Sequence, residues 1–201
     1  MQTSASSPPQ FLNTTDRLQR LLPEVFNPKS LSGEHFLRLQ LTPDLTIALA
    51  LSWIEESLLV STQLITPMPN MPPSVLGLMS SKTQVFWAVN LAQLLEVPIV
   101  LEPSQYYEVV VIRTMPADPE QFSDTDGIRP DANEELFLGL VVPKIRSSVR
   151  LLQEDIVSPV NEVAENLHPY LSGQVTVDGE VILILSAEAI GSARLLLSDL
   201  H

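Results

Sequence analysis

The 201-residue chain has no cysteine, so hydroxyl nucleophiles would have to come from serine or threonine, with His35, His168 and His201 as the only imidazole bases. Such a nucleophile needs a base within hydrogen-bond reach and a third group to orient that base. His201 is the last residue, His35 opens an alternating stretch and His168 precedes Pro169, which are places for surface or strand-end histidines rather than catalysts. No G-x-S-x-G turn, H-E-x-x-H pair or phosphate-cradling glycine loop occurs, and only seven glycines are present. Glu55 and Glu56 are adjacent carboxylates; as neighbours in a helical turn they point to different sides and face water. The stretch SDTDG has the look of a calcium loop, but Gly127 in sixth place puts Phe122 first and Asn133 twelfth, where carboxylates are required. These residues predict no enzyme, cofactor or metal centre. A binding or scaffolding role follows by elimination.

Composition narrows the partners. With 24 acids against 11 bases the net charge is −13, which repels phosphate backbones and anionic lipid. Nucleic-acid binding is therefore not expected. Nine of the acids lie between residues 102 and 135 against Arg113 and Arg129, the pattern of a solvated face. Apolar residues make up 45% of the chain and charged residues 17%, a globular balance. The opening MQTSASSPPQ has neither a basic nor an apolar signal region and reads as a solvated tail. No run approaches the roughly 20 apolar residues of a membrane helix. The expectation is a soluble, cytoplasmic protein with no direct membrane insertion.

The elements that would carry a binding surface are mostly strands. Seventeen prolines, each removing a backbone donor, disfavour long helices. One short helix is predicted at TTDRLQRLL, capped by Thr14 or Thr15, with Leu18, Leu21 and Leu22 on one face and Pro23 as its stop. From His35 the period becomes two: Leu37, Leu39 and Leu41 alternate with Arg38 and Gln40, Pro43-Asp44 turns the chain, and LTIALAL follows as a buried strand. Further strands are predicted at SVLGLMSS, QVFWAVN, YYEVVVIRT, ELFLGLVV, GQVTV and EVILILS, eight in all. Helical pieces follow two of them, NLAQLLE and SAEAIGSARLLLSDL, while residues 116–135 read as an exposed loop. Trp53 and Trp87 are expected as core or half-buried packing residues, since no basic groove accompanies them.

An internal repeat organises these pieces. A shift of 96 positions lays Gly77 on Gly173, Val85 on Val181, Trp87 on Leu183, Asn90 on Ser186 and Leu94 on Ile190. Upstream, WIEESLL matches KIRSSVRLL more loosely. Both copies read as strand, tight turn, strand and short helix, so the chain is expected to build two similar β-units.

The segment from Ile65 to Pro98, with GLVVPKIRSSVRLLQEDI and YLSGQVTVDGEVILILSAEAI further on, resembles the CheW-like domain of bacterial chemotaxis-type systems over about His35 to Leu200. The proline-rich PMPNMPP version with Trp87 looks especially like cyanobacterial members serving phototaxis or type IV pilus motility. The resemblance implies a mainly β fold of two small five-stranded β-barrel subdomains related by duplication, with short N-terminal and C-terminal helices. Residues 1–30 would be a tail and short helix, and residues 31–201 the CheW-like domain with its two barrels interleaved. It implies a non-catalytic adaptor that couples a methyl-accepting chemoreceptor-type protein to a CheA-type histidine kinase, in the cytoplasm and recruited to membrane-bound receptor arrays. A groove between the barrels would take the receptor's helical hairpin tip, an outer surface the kinase. The protein-binding residues so implied are Ile54, Glu56, Lys82 and Ser148. The family's Asn-Leu-Arg-Gly turn stands here as Ser80, Ser81, Lys82 and Thr83, its strand-end Asp as Asn90 and its second-half Asp as Pro143. A lysine keeps the positive sign without the planar fork of arginine. Two other readings stay open: a regulatory decoy that binds kinase or receptor alone, and a hydrolase built from a serine and His168. Reversing the charge of Lys82 is expected to weaken partner binding and leave thermal stability nearly unchanged, as for an exposed turn residue.

Overall fold

The computed structural model describes residues 33–82, 84–99, 101–114, 136–157 and 163–192. The segments expected as an N-terminal helix and as the loop 116–135, the boundary at residue 30, and the chain beyond Ser192 lie outside them.

Ten strands form. β1 (Glu34–Thr42) and β2 (Leu45–Ala50) make the expected hairpin, with Thr42 paired to Leu45 across Pro43-Asp44 and the Thr42 hydroxyl accepting from the Asp44 N–H. A 3-10 turn leads into β3 (Ile54–Ser61), and a second at Thr62–Leu64 leaves it. Then come β4 (Val75–Ser81), β5 (Gln84–Asn90) and the short helix α1 (Leu91–Leu94). β6 (Tyr106–Thr114), β7 (Leu136–Val142) and β8 (Lys144–Leu151) follow, and β8 runs into a 3-10 turn at Gln153–Asp155. A further 3-10 stretch at Glu165–Tyr170 precedes β9 (Leu171–Val177), β10 (Glu180–Leu185) and α2 (Ala187–Ser192).

The 96-residue repeat is structural. β4, β5 and α1 begin at residues 75, 84 and 91, and β9, β10 and α2 at 171, 180 and 187. Each copy caps its helix by the same device: the Asn90 side chain accepts from the Gln93 N–H, and the Ser186 hydroxyl from the Ala189 N–H. The copies interleave. One five-stranded sheet has the order β8-β1-β2-β10-β9, the other β3-β6-β7-β5-β4. The hairpin β1-β2 thus takes its remaining strands from the second half of the chain, and β6-β7 takes its own from the first. Parallel pairs join the two contributions in both sheets, β10 to β2 and β5 to β7.

Each sheet curls into a half-barrel whose ends meet through one bridge. In the second sheet Thr66 and Leu78 exchange backbone hydrogen bonds of 2.7 and 2.9 Å; in the first, Val157 and Gln174 do so at 2.9 and 2.8 Å. Glycine sits beside each bridge because the passing chain leaves no room. A Cβ on Gly77 would lie 2.2 Å from the Thr66 carbonyl oxygen, and one on Gly173 2.5 Å from Ile156 Cγ2. Apolar alternation then sorts side chains into three cores. Val60, Met79, Phe86, Val109 and Val141 fill one half-barrel, and Phe36, Ala48, Val175, Ile182 and Ile184 the other. The largest core, with Leu39, Ile47, Leu49, Ile112, Leu138 and Leu140, gathers the outward faces of strands from both sheets. Burying each such side chain contributes about 1.5–3 kcal/mol, so the duplicated units are held as one body by the surface a lone unit would expose.

All eight expected strands are present, and the two additional ones are β3 and β8. They hold the same place in the two copies, each at one end of its sheet. Their sequences, IEESLLVS and KIRSSVRL, bury one residue apiece, Val60 and Leu151. A strand paired on one side needs little apolar surface. The helical-turn reading of Glu55 and Glu56 is corrected accordingly: both lie in the strand β3, Glu56 paired to Val111 of β6 and Glu55 at a break in the ladder.

Candidate functional site

The four residues implied as protein-binding fall at the two sheet ends. Ile54 begins β3, half-buried and packed against the large core beside Trp53. A β-bulge separates it from Glu56, the ladder to β6 slipping between Ile54↔Ile112 and Glu56↔Val111. The extra residue re-aims the strand. Glu56 now shares a face with Leu58 and Val60, which line the half-barrel interior. Lys82 is at the tip between β4, at the opposite end of the same sheet, and β5. The ladder closes from Ser81 to Gln84, and Lys82 takes φ +55°, the left-handed conformation of a two-residue hairpin turn. Its Nζ lies 2.7 Å from Glu56 Oε2, so the ion pair ties the first strand of the curled sheet to the last.

Lys82 is 76% exposed along its side chain and Glu56 only 15%. The Lys82 hydrogen bond, then that of the Ser81 side chain, hold the Glu56 carboxyl below its ordinary value against the opposing pull of burial. Its neighbour Glu55 meets Arg113 of β6 at 3.3 Å.

Ser148 is on β8 of the other sheet, exposed and opposite Leu37. The structure therefore joins Glu56 to Lys82, sets Ile54 on the other face of their strand, and puts Ser148 at the corresponding place in the second half-barrel, where its counterpart by register is Ser57. Around Ser148 the partners differ. Arg38 donates to the Ser147 hydroxyl at 2.7 Å and lies 3.9 Å from Glu180, which also accepts from the Thr46 hydroxyl.

Of the histidines, the two described, His35 and His168, sit at the surface. His35 Nε2 lies 2.6 Å from an Arg150 guanidinium nitrogen, and His168 Nε2 lies 3.0 Å from the Val163 carbonyl oxygen, where it can only donate. Trp53 and Trp87 are half-buried against the large core, as expected. Among the described residues no three His, Asp or Glu side chains gather as a metal site, and no helix is long and apolar enough to cross a membrane. The described residues line concavities of which two bear on binding. One of about 230 Å³ lies among Phe36, Trp53, Ile156 and Glu188, and one of about 420 Å³ among Leu59, Leu101, Tyr106 and Glu108. Leu59 and Tyr106 of the second are exposed, as is Leu64 in the 3-10 turn that follows β3, and these are the residues sequence reasoning passed over. The signal was the Leu58-Leu59 pair: in a strand at the end of a sheet, consecutive leucines cannot both face the interior.

Two curled five-stranded sheets built from interleaved repeats, with an ion-paired seam and charged outer strands, define a class of duplicated β-modules. A model of the CheW-like domain family matches residues 36–194, and the chain belongs to that family. Among solved structures it is similar to the crystal structure of the scaffolding protein TtCheW from Thermoanaerobacter tengcongensis, at 13% identity and a TM-score of 0.60, over 78% of this chain and 90% of that one. No curated protein matches.

Proposed function

We propose that this chain is a non-catalytic adaptor that couples a chemotaxis-type receptor to a CheA-type histidine kinase in a cytoplasmic signalling array controlling motility or taxis. The observation that carries this reading is the CheW-like match over nearly the whole described chain. Its likeness to a scaffolding protein of the same fold supports it, as do the surface positions of His35 and His168. Ile54, Glu56, Lys82 and Ser148 are assigned as partner-facing, with the charged pair setting orientation and discrimination more than total affinity. The proline-rich connector suggests phototaxis or type IV pili as the output. Co-purification with a receptor cytoplasmic domain and with the kinase tests the reading. Capture of both is expected; capture of neither at micromolar concentrations overturns it. One observation favours the single-partner alternative: the Lys82 ammonium is already engaged by Glu56. Capture of only kinase or only receptor would establish that alternative.

A further inference from the structure

The duplication supplies an internal control for reading the surface. By strand register Leu59, opposite Glu108, corresponds to Arg150, opposite His35. Leu64 and Asp155 are likewise the last residues of the 3-10 turns that follow β3 and β8. One copy of the fold carries charge at both places, so the backbone does not require leucine there. Yet in the other copy Leu59 is 69% exposed, Leu64 64% and Tyr106 53%. Exposed apolar clusters of this kind mark contact surfaces. Leu59 and Tyr106 line the 420 Å³ concavity together with Leu101, and two carboxylates, Glu102 and Glu108, stand in the same lining.

We propose that this patch docks a partner protein through apolar side chains flanked by lysine or arginine. The apolar residues supply contact area, and Glu102 and Glu108 select the sign of the rim charge. That a partner exists rests on the adaptor reading; the chemistry of the patch does not.

The test grafts the other copy's residues. Leu59→Arg with Leu64→Asp leaves the net charge unchanged, so any general attraction of an acidic protein for a cation stays the same in parent and variant. The parent and the double variant are titrated by calorimetry, at physiological salt, with a short amphipathic peptide of leucine and lysine and with its leucine–glutamate analogue. The leucine–lysine peptide should bind the parent about tenfold or more tightly than the double variant, and the glutamate analogue should not compete. Glu102→Lys should weaken the same binding a few-fold. Equal affinity for parent and variant, no binding, or preference for the glutamate analogue overturns the proposal. So does a parent self-association that the double variant abolishes, which would give the patch to a second copy of the chain. Thermal unfolding of both proteins checks that the graft folds. Co-purification with receptor and kinase decides the adaptor reading separately, so either can fail without the other.

Discussion

Glu55 and Arg146 occupy the same bulged position in the two half-barrels and carry opposite charges. Glu55 meets Arg113 on β6, while Arg146 donates to Gln40 on β1, the residue that corresponds to Arg113. Next to them, Glu56 reaches Lys82, whereas Ser147 binds Arg38, an arginine standing where the other copy has the buried Val111. The backbone devices show no such drift. Bulge, closing bridge, glycine beside the bridge and helix cap recur in both halves. The energies account for the contrast. An exposed ion pair contributes about 0.2–1 kcal/mol and can be exchanged for another polar contact, while a side chain forced into a closing bridge displaces backbone. Duplication has kept what geometry dictates and reassigned what electrostatics only adjusts.

Breaking the closures should give the largest effects and should rank the two halves. Gly77→Ala places a Cβ 2.2 Å from a backbone oxygen in a residue held at φ +147°, so neither space nor conformation permits it. A loss of about 3 kcal/mol or more is expected. Gly173→Ala meets the Cγ2 methyl of the β-branched Ile156 first and the Val157 carbonyl oxygen at 2.9 Å, without positive φ, and should cost about 1–3 kcal/mol. At the hairpin tip Gly179 has open space but φ +83°, so Gly179→Ala should cost about 1 kcal/mol. Urea denaturation of the three variants gives the order directly. A Gly173 variant less stable than the Gly77 variant would show that side-chain crowding, not the bridge, limits closure.

The same division between backbone and charge explains what could be read in advance. Strands buried on both faces, such as VVVI in β6 and LGLVV in β7, announce themselves by unbroken apolar runs, and the repeat places their partners. β3 and β8 stayed hidden because a strand at the end of a sheet needs only one buried residue. With β3 unseen, Glu55 and Glu56 read as water-facing neighbours, and Lys82 as an exposed turn residue. The Glu56–Lys82 pair spans 26 positions and exists only because the sheet curls until its ends meet. Local pattern carries no trace of such closure.

That pair revises the expectation of a neutral charge reversal. Lys82→Glu sets a carboxylate against the mostly covered Glu56, so like charges replace the ion pair, and a loss of about 1 kcal/mol at neutral pH is expected. For a protein of this size that lowers Tm by about 2–4 °C. Lys82→Met keeps the same strained φ and removes only the charge, at about 0.5 kcal/mol. The two variants should also differ from the parent in the pH dependence of stability. The folded-state value of Glu56 is depressed from 4.5, so its contribution is fully present above that pH and is lost as the pH falls through the folded value. Stability curves of parent and Lys82→Met should therefore approach each other as the pH falls below 4.5 and meet below the depressed folded value. Curves that stay parallel would assign the depression to Ser81 alone.

The smallest effects should come from the bulge positions, and salt should separate them. Glu55→Gln removes one charge of a half-exposed pair with Arg113. It should cost about 0.3 kcal/mol at low ionic strength and nothing measurable near 1 M salt, where the screening length falls to about 3 Å. Arg146→Met breaks a bond to the neutral Gln40 side chain, which screening barely touches, so its similar loss should persist at high salt. Denaturation midpoints at low and high ionic strength measure both. If the Arg146 variant alone recovers in salt, long-range attraction of the Arg146 cation to a chain of net charge −13 outweighs the neutral contact. The two half-barrels would then differ in the field across their outer strands rather than in their individual pairs.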